Sequence, residues 1–436
     1  MSHNTRRRDI LKGIGVAGTI GVAGCIGSES GNGGGGSGSG PDVLNVIGYP
    51  ESGIQLFRDY YDTGGSQDII VPDGLRDGSM PGQAGNDMAN VVGTAPAAGG
   101  PSQEAFNDLY QDEYGETPGV FTSQSYDSVA LLILANVAAG ENSGPAVKEQ
   151  LRRVANPDGE EYGPSEFIDA VEAVANGENV NYQGASSATN FNEAGDPASA
   201  AYSIWEFEGA DSEAINTLET QNFEGENPDG AGPAADESPG GLGREVLVGI
   251  LLPETGDLAS VGGPMINAAE IPVKQVNDSD LDLEVNAMFE DTQTSPDQGV
   301  SGAQSLVSAG VPAVCGTASS GVNVPVSQEV FIPNEVVGCS PSSTALSVTN
   351  LEDDDYIFRT APSDLLQGAV MAQVSAERLE GATASTLYVN NDYGQQLSER
   401  YTEVFESEHD GEVLNQVSFN KGESSYSNVI EQALSE

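Results

Sequence analysis

Residues 244–277, REVLVGILLPETGDLASVGGPMINAAEIPVKQVN, constrain the fold more than any other stretch of this 436-residue chain. Positions 246–252 form an unbroken apolar run, with the length and composition of a strand buried on both faces. A loop with Gly256, Gly262 and Gly263 follows. Pro264, a residue favoured at the first helical position, then opens an apolar helical pattern. Strand, glycine loop and helix in that order predict one β-loop-α unit of a parallel sheet. Pro272 falls inside the predicted helix 264–276, where an interior proline costs about 3 kcal/mol. A kink is expected there.

The same alternation runs on both sides of this unit. Downstream, strands are predicted at 246–252, 283–289, 311–315, 335–339, 385–389 and 412–418. Helices are predicted at 264–276, 298–308, 367–380, 394–408 and 425–434, and Leu397, Tyr401, Val404 and Phe405 give one of them a clean apolar stripe. Upstream, 43–47, 69–71, 91–94 and 201–207 read as strands, the last carrying the only tryptophan, Trp205. Ile54, Phe57, Tyr60 and Tyr61 share one helical face. Phe106, Leu109 and Tyr110 share another, and Phe167, Val171 and Val174 a third. The clearest helix is 125–139, with Val129, Leu132, Ile133, Asn136 and Val137 at helical spacing and Gly140 as its stop. Residues 209–243 are rich in Gly, Pro and acidic residues. They read as a linker with one helical turn around Ile215 and Leu218.

Lys and Arg number 15 against 67 Asp and Glu, a formal net charge of −52. In dilute buffer that charge drives a compact chain apart. In multimolar salt the Debye length falls to about 3 Å and the repulsion is screened. The acidic residues are spread through the periodic segments rather than gathered in a tail, which reads as a halophilic protein. No basic patch exists to neutralise phosphates, so nucleic acid is excluded as a partner. Arg6, Arg7 and Arg8 before Asp9-Ile10-Leu11-Lys12 resemble a twin-arginine export signal. The apolar run that follows, 14–23, is shorter than the roughly 20 residues of a spanning helix. Val22-Ala23-Gly24-Cys25 resembles a lipobox, in which Cys25 is lipidated. The alternative is a chance cysteine among small residues. Residues 28–40 are Gly/Ser-rich and read as a flexible tether.

A family resemblance spans 41–207 and 244–436. The 244–277 unit resembles the first β-loop-α unit of type I periplasmic binding proteins, the branched-chain amino acid (Leu/Ile/Val) receptors of ABC importers. Gly299 to Gly310, Val311-Pro-Ala-Val-Cys-Gly316 and Ser319-Ser320 resemble that family's second helix, third strand and ligand-binding serines. Ser340-Pro-Ser-Ser-Thr344 resembles the next ligand loop. Ile357-Phe-Arg-Thr-Ala-Pro-Ser-Asp364 resembles the first crossover between lobes. Asn391-Asp-Tyr-Gly394 and Gly48-Tyr49 resemble loops of the second lobe, and Asp73-Gly74 its acidic ligand contact. Ser125-Tyr126-Asp127 opens the helix after the second crossover. Val261 departs from the family, which often has an aromatic there; Pro272 also departs.

The resemblance implies an α/β fold of two doubly wound parallel-sheet lobes joined by a hinge, circularly permuted. The implied divisions are a signal at 1–24 and a tether at 25–40. Lobe one takes 123–200 and 244–365. Lobe two takes 41–122, its last strand at 201–208, and 366–436, with an acidic Gly/Pro linker at 209–243. In the family a helix like 425–435 leads directly into a strand like 43–47. That strand is therefore expected beside 385–389 or 413–419. The rival is two half-domains, 41–208 and 244–436, folding separately.

Ligands of open α/β sheets bind beyond the carboxyl ends of the strands. An amino acid carries a carboxylate that needs donors and an ammonium that needs acceptors. The resemblance implies Ser319, Ser320, Ser342 and Thr344 as hydroxyl donors. It implies Asp73 as the acceptor, with Tyr49, Tyr126 and Tyr393 offering ring faces and hydroxyls. Taken singly, each has a plainer reading: Ser and Thr as helix caps, Asp-Gly as a turn, Tyr as a core-rim residue. Cys315 and Cys339 end two predicted strands as buried thiols or as a disulfide.

The implied function is a lipid-anchored protein outside the cell membrane that delivers an amino acid or small amide to an ABC permease. A surface sensor of the same fold, an exported hydrolase and a structural surface protein are the alternatives. His3 and His409 are the only histidines, and neither lies in a strand-end loop. No nucleophile elbow, zinc-binding His-Glu-x-x-His or phosphate loop is present, so neither catalysis nor a metal or cofactor is expected.

Overall fold

The computed structural model describes residues 40–225 and 240–435. The export signal, Cys25 and most of the tether lie outside the described residues, as does part of the expected linker. In chain order the first elements are β1 (Val43–Ile47), α1 (Pro50–Asp62), β2 (Asp68–Val71), α2 (Met80–Ala84), β3 (Val91–Pro96) and α3 (Gln103–Tyr114). Next come α4 (Thr122–Ala139), α5 (Gly144–Ala155), β4 (Glu160–Tyr162), α6 (Phe167–Ala175), β5 (Val180–Tyr182), β6 (Ser199–Phe207) and β7 (Ile215–Glu224). The second run is β8 (Arg244–Leu252), α7 (Ala259–Asn277), β9 (Leu283–Asp291), α8 (Pro296–Ser308), β10 (Ala313–Gly316), α9 (Ser320–Val326), β11 (Val337–Ser340) and α10 (Leu346–Thr349). It ends with β12 (Ile357–Arg359), α11 (Asp364–Gln373), β13 (Thr383–Val389), α12 (Asp392–Glu408), β14 (Glu412–Phe419) and α13 (Ser427–Ala433).

Two main sheets result. One has seven strands in the order β14-β13-β1-β2-β3-β6-β7, and the other five in the order β12-β11-β10-β8-β9. All pairings are parallel except β3 with β6 and β6 with β7. Strand β1 lies between β13 and β2, with Val46 opposite Leu387 and Ile47 opposite Tyr388. The seven-stranded sheet thus interleaves the two halves of the chain, and the reading of two separately folding halves is overturned. Every residue of β1 is buried, as a strand covered on both faces requires. Helix α4 explains the five-stranded side: all 18 of its residues are buried, and it packs on α5, α6, α7 and the strands β8, β10 and β11. Its polar positions are satisfied locally, Ser128 donating to the Cys339 carbonyl at 2.9 Å. Among the described residues no helix is long and apolar enough to cross a membrane.

Three expectations need correction. Strand β7 occupies Ile215–Glu224, inside the expected linker, and no helical turn forms around Ile215 and Leu218. It pairs with the free edge of β6 and buries one face only in part, Phe223 standing edge-on to Tyr202 at 6.0 Å, so it needs few apolar residues. Helix α7 starts at Ala259, which places Gly262 and Gly263 inside it and Pro264 as its sixth residue. Gly262 is required because a Cβ there would collide with the Pro253 carbonyl, so the first turn rests directly on the end of β8. The same helix runs on through the buried Pro272 as one element. Finally, β12 adds an edge strand to β11 where only a crossover was expected. Cys315 and Cys339 are directly opposed on β10 and β11 and are free, buried thiols. Burial pushes the Cys315 thiol up to about 12.

Candidate ligand-binding cleft

The carboxyl ends of both sheets meet across a cleft. From the five-stranded sheet, the loop after β10 carries Ser319 and Ser320, and the loop after β11 carries Ser342, Ser343 and Thr344. The second loop holds the first in place. Ser340 and Ser343 donate to the Thr317 carbonyl at 2.7 and 2.8 Å, and Ser342 donates to the Ala318 carbonyl at 3.2 Å. The Ala345 amide donates to the Ser320 hydroxyl at 3.2 Å. Behind both loops lies the fully buried Arg359. It donates to the Ser343 and Ala345 carbonyls at 3.0 and 3.1 Å and to both Asp196 carboxylate oxygens at 2.6 and 2.9 Å. A paired, fully hydrogen-bonded guanidinium fixes such loops at several points at once.

From the seven-stranded sheet come Tyr49 after β1, Asp73 after β2 and Tyr393 at the start of α12. The Tyr49 and Tyr393 rings stack at 5.7 Å and 9°. Asn391 donates to the Tyr49 hydroxyl at 2.9 Å, and that hydroxyl meets the Ser319 hydroxyl at 2.8 Å across the cleft. The Tyr393 hydroxyl accepts from the Gly74 amide at 3.3 Å and points at Asp73 Oδ1 at 3.5 Å. Gly74 is required there, because a Cβ would run into the Gly48 carbonyl and crowd the Tyr393 hydroxyl. Burial pushes the Asp73 carboxyl up to about 6, against the hydrogen bonds from Gln367 and Tyr393 that favour its charge.

The pocket is partly open to solvent and, that solvent included, spans about 370 Å³. Tyr49, Asp73, Tyr393, Ser319, Ser320 and Ser342 line its polar part, and Phe121, Pro253, Leu258, Val261 and Met265 its apolar part. A sequence model of the periplasmic binding protein family matches residues 37–177 and 245–436, well over half of the chain. The chain belongs to the periplasmic binding protein family.

Among its relatives are proteins named as Leu/Ile/Val-binding proteins. The Leu/Ile/Val-binding protein homolog 1 of Brucella abortus is 33% identical over 162 residues, 37% of this chain and 43% of the relative. The Leu/Ile/Val-binding protein BraC3 of Rhizobium johnstonii is 28% identical over 173 residues, 39% of this chain and 47% of the relative. Among solved structures, the leucine binding protein LivK of Thermotoga maritima is similar at 24% identity and a TM-score of 0.38, over 42% of this chain and 51% of that one. The chain spans about half the length of the relatives it matches.

Two residues expected in this binding protein's site lie outside the pocket. Tyr126 faces α7 instead: its hydroxyl donates to Gln275 Oε1 at 2.6 Å, and its ring packs on Phe106 at 5.4 Å. Thr344 is buried behind the loop, where its carbonyl accepts from the Asp364 amide at 2.8 Å. The hydroxyls of Ser340 and Ser343 fold the loop onto Thr317 and so turn Thr344 away. Phe121, Leu258 and Met265 were not singled out from the sequence, and Asn391 was named only as part of a loop motif. Leu258, Val261 and Met265 are one helical stripe, visible only once α7 is seen to start before its glycines. Phe121 has φ 62, a left-handed residue at the start of α4 that no periodicity announces. Among the described residues, no group of His, Cys, Asp or Glu side chains could hold a metal ion.

Proposed function

We propose that the chain is a solute-binding protein, lipid-anchored through Cys25 on the outer face of the cell membrane, which closes around an amino acid of branched-chain type and delivers it to an ABC permease. The observation that carries this reading is the polarity of the pocket. Ser319, Ser320 and Ser342 offer hydroxyls on one sheet, Asp73 offers a carboxylate on the other, and Val261, Leu258 and Met265 form an apolar wall. That arrangement suits a zwitterion with an aliphatic side chain. Hydroxyls suit the carboxylate end because they cost little to desolvate while the pocket is empty. Asp73, between the Tyr393 hydroxyl and Gln367, suits the ammonium. The names of the relatives agree with this choice. In this reading the five-stranded sheet belongs to lobe one and the seven-stranded sheet to lobe two. The twin-arginine signal supports export, and the net charge of −52 supports work in multimolar salt.

A thermal-shift screen of amino acids and small amides in multimolar KCl tests it. A cognate ligand at 100 times its Kd adds about 2.7 kcal/mol of stability. A screen in which leucine, isoleucine and valine leave the unfolding midpoint unmoved, while another solute raises it, would replace the ligand class. Release of the intact chain from membranes by Cys25→Ala checks the anchor.

A further inference from the structure

Outside the pocket, a second set of polar contacts ties the two sides of the cleft together. Ser52, in the first turn of α1, places its hydroxyl 2.7 and 2.8 Å from the two carboxylate oxygens of Asp257, which lies between β8 and α7. The Glu51 amide donates to the Asp257 carbonyl at 3.4 Å. Asp257 therefore sits at the amino-terminal turn of a 13-residue helix that belongs to the opposite side, where the helix dipole favours a carboxylate. Lys421, in the turn after β14, donates its ammonium to the Thr294 carbonyl between β9 and α8. The next amide, Gly422, reaches the Ser52 hydroxyl at 3.4 Å and closes the network.

Two features argue that these contacts do more than fill space. Gln293 and Thr294 are consecutive non-glycine residues in the left-handed region, with φ 50 and 51. Such strain persists where the surroundings impose it and gathers at functional positions. Here the Leu258 amide donates to the Thr294 hydroxyl at 3.1 Å, which fixes the turn whose carbonyl meets Lys421. The second feature is charge. The chain has 15 basic residues against 67 acidic ones, and one of the 15 is placed where Glu51 and Asp257 face each other across the cleft. Lys421 is also 5.9 Å from the centre of the Tyr49 ring, and Tyr49 lines the pocket.

We infer that Ser52, Asp257, Thr294 and Lys421 form a latch that holds the cleft closed and sets how long a bound solute stays. The inference rests on the solute-binding reading for its kinetic part only. These are positioning residues, since none of them lines the pocket. Interactions made only in the closed form raise its population and, with it, the apparent affinity. Lys421 offsets the repulsion between the two acidic faces, so its contribution grows as salt is lowered.

The test uses the full chain with Ser52→Ala and Lys421→Met, and leucine as the probe. Stopped-flow dissociation in multimolar KCl should be about tenfold faster in each variant, with the association rate little changed. Small-angle scattering of the ligand-free proteins should show a larger radius of gyration in the variants than in the unaltered chain, the gap widening at lower salt. Equal dissociation rates would overturn the latch while leaving the solute-binding reading standing. If leucine fails to bind the unaltered chain, the branched-chain ligand class falls instead. The scattering comparison then decides the latch by itself: equal radii in all three proteins overturn it.

Discussion

The two sheets differ in how the chain builds them and in what they bring to the cleft. The five-stranded sheet comes from one continuous run, β8 to β12, and contributes hydroxyls that do not titrate. The seven-stranded sheet is assembled from both halves of the chain and contributes two stacked rings and a buried carboxylate. The contrast teaches that strand order in space is independent of order along the chain, provided each strand finds the same two neighbours. It also separates two ways to recognise charge. Hydroxyls can donate to backbone carbonyls when the pocket is empty, as Ser342 does to Ala318 and Ser343 to Thr317. A buried carboxylate can become neutral only by taking up a proton, so its desolvation cost appears as a raised pKa.

The largest effect should come from cutting the chain between the halves, at residue 230. The 240–436 piece keeps the five-stranded sheet whole, whereas β1 in the other piece loses β13 as a neighbour. Residues 40–225 alone should therefore show no cooperative thermal transition by circular dichroism, and mixing the two pieces should restore one. A sharp transition from 40–225 alone would return the molecule to two independent half-domains.

Next in size is the carboxylate. Asp73→Asn should weaken leucine binding by about 1.5–3 kcal/mol, the range for a hydrogen bond to a charged group. The pH dependence follows from the value of about 6. If the ligand's ammonium needs Asp73 ionised, affinity falls roughly tenfold per pH unit below 6 and is flat above it. The empty protein moves the opposite way. A carboxyl raised in the folded state gives stability that is fully present below the ordinary value of 3.8 and is lost as pH rises through about 6. That loss amounts to about 3 kcal/mol. Titration calorimetry and thermal melts from pH 4 to 8 measure both, and Asp73→Asn should flatten the binding curve and remove its own share of the stability loss, leaving that of Asp127, whose buried carboxyl is likewise pushed up to about 6. A neutral amide as ligand would show no weakening below pH 6, which would move the proposed ligand class.

What could be read before the structure follows the same division. Buried parallel strands announce themselves as apolar runs, so β1, β8 and β13 were legible, and the resemblance of 425–435 and 43–47 to a consecutive helix and strand put β1 beside β13 or β14 despite their distance in sequence. Strand β7 was hidden because it buries only part of one face against an edge. The apolar wall was hidden because Gly262 reads as loop from sequence alone, whereas in α7 it permits close approach to Pro253. Arg359 looked like one letter of a crossover. Its role appears only when Asp196, more than 160 residues earlier in the chain, arrives beside it. Thr344 sits among serines of the same chemistry, and only the folding of the loop onto Thr317 separates it from them.

Tyr126 gives the smallest and most discriminating prediction. It shares its residue type with Tyr49 and Tyr393, so composition alone treats the three alike. The structure divides them by sheet. Tyr49 and Tyr393 stand on the seven-stranded side with rings on the pocket, while Tyr126 is on α4 with its ring among Phe106 and Phe167. Its hydroxyl donates to Gln275, whose amide still has the Pro164 carbonyl at 2.9 Å when the tyrosine hydroxyl is gone. Tyr126→Phe therefore removes the hydroxyl's short bond to Gln275 and its long contact to the Pro164 carbonyl and leaves the ring packing intact, at a cost in stability of about 1 kcal/mol. Leucine affinity should stay within twofold of the unaltered chain, since nothing that lines the pocket moves. Tyr393→Phe is the contrasting change, because it takes away the hydroxyl that contacts Gly74 and Asp73. It should lower affinity with a stability change of similar size. Calorimetric affinities for the two variants side by side decide the matter, and a larger loss from Tyr126→Phe than from Tyr393→Phe would mean that the site extends along α7 as far as Gln275.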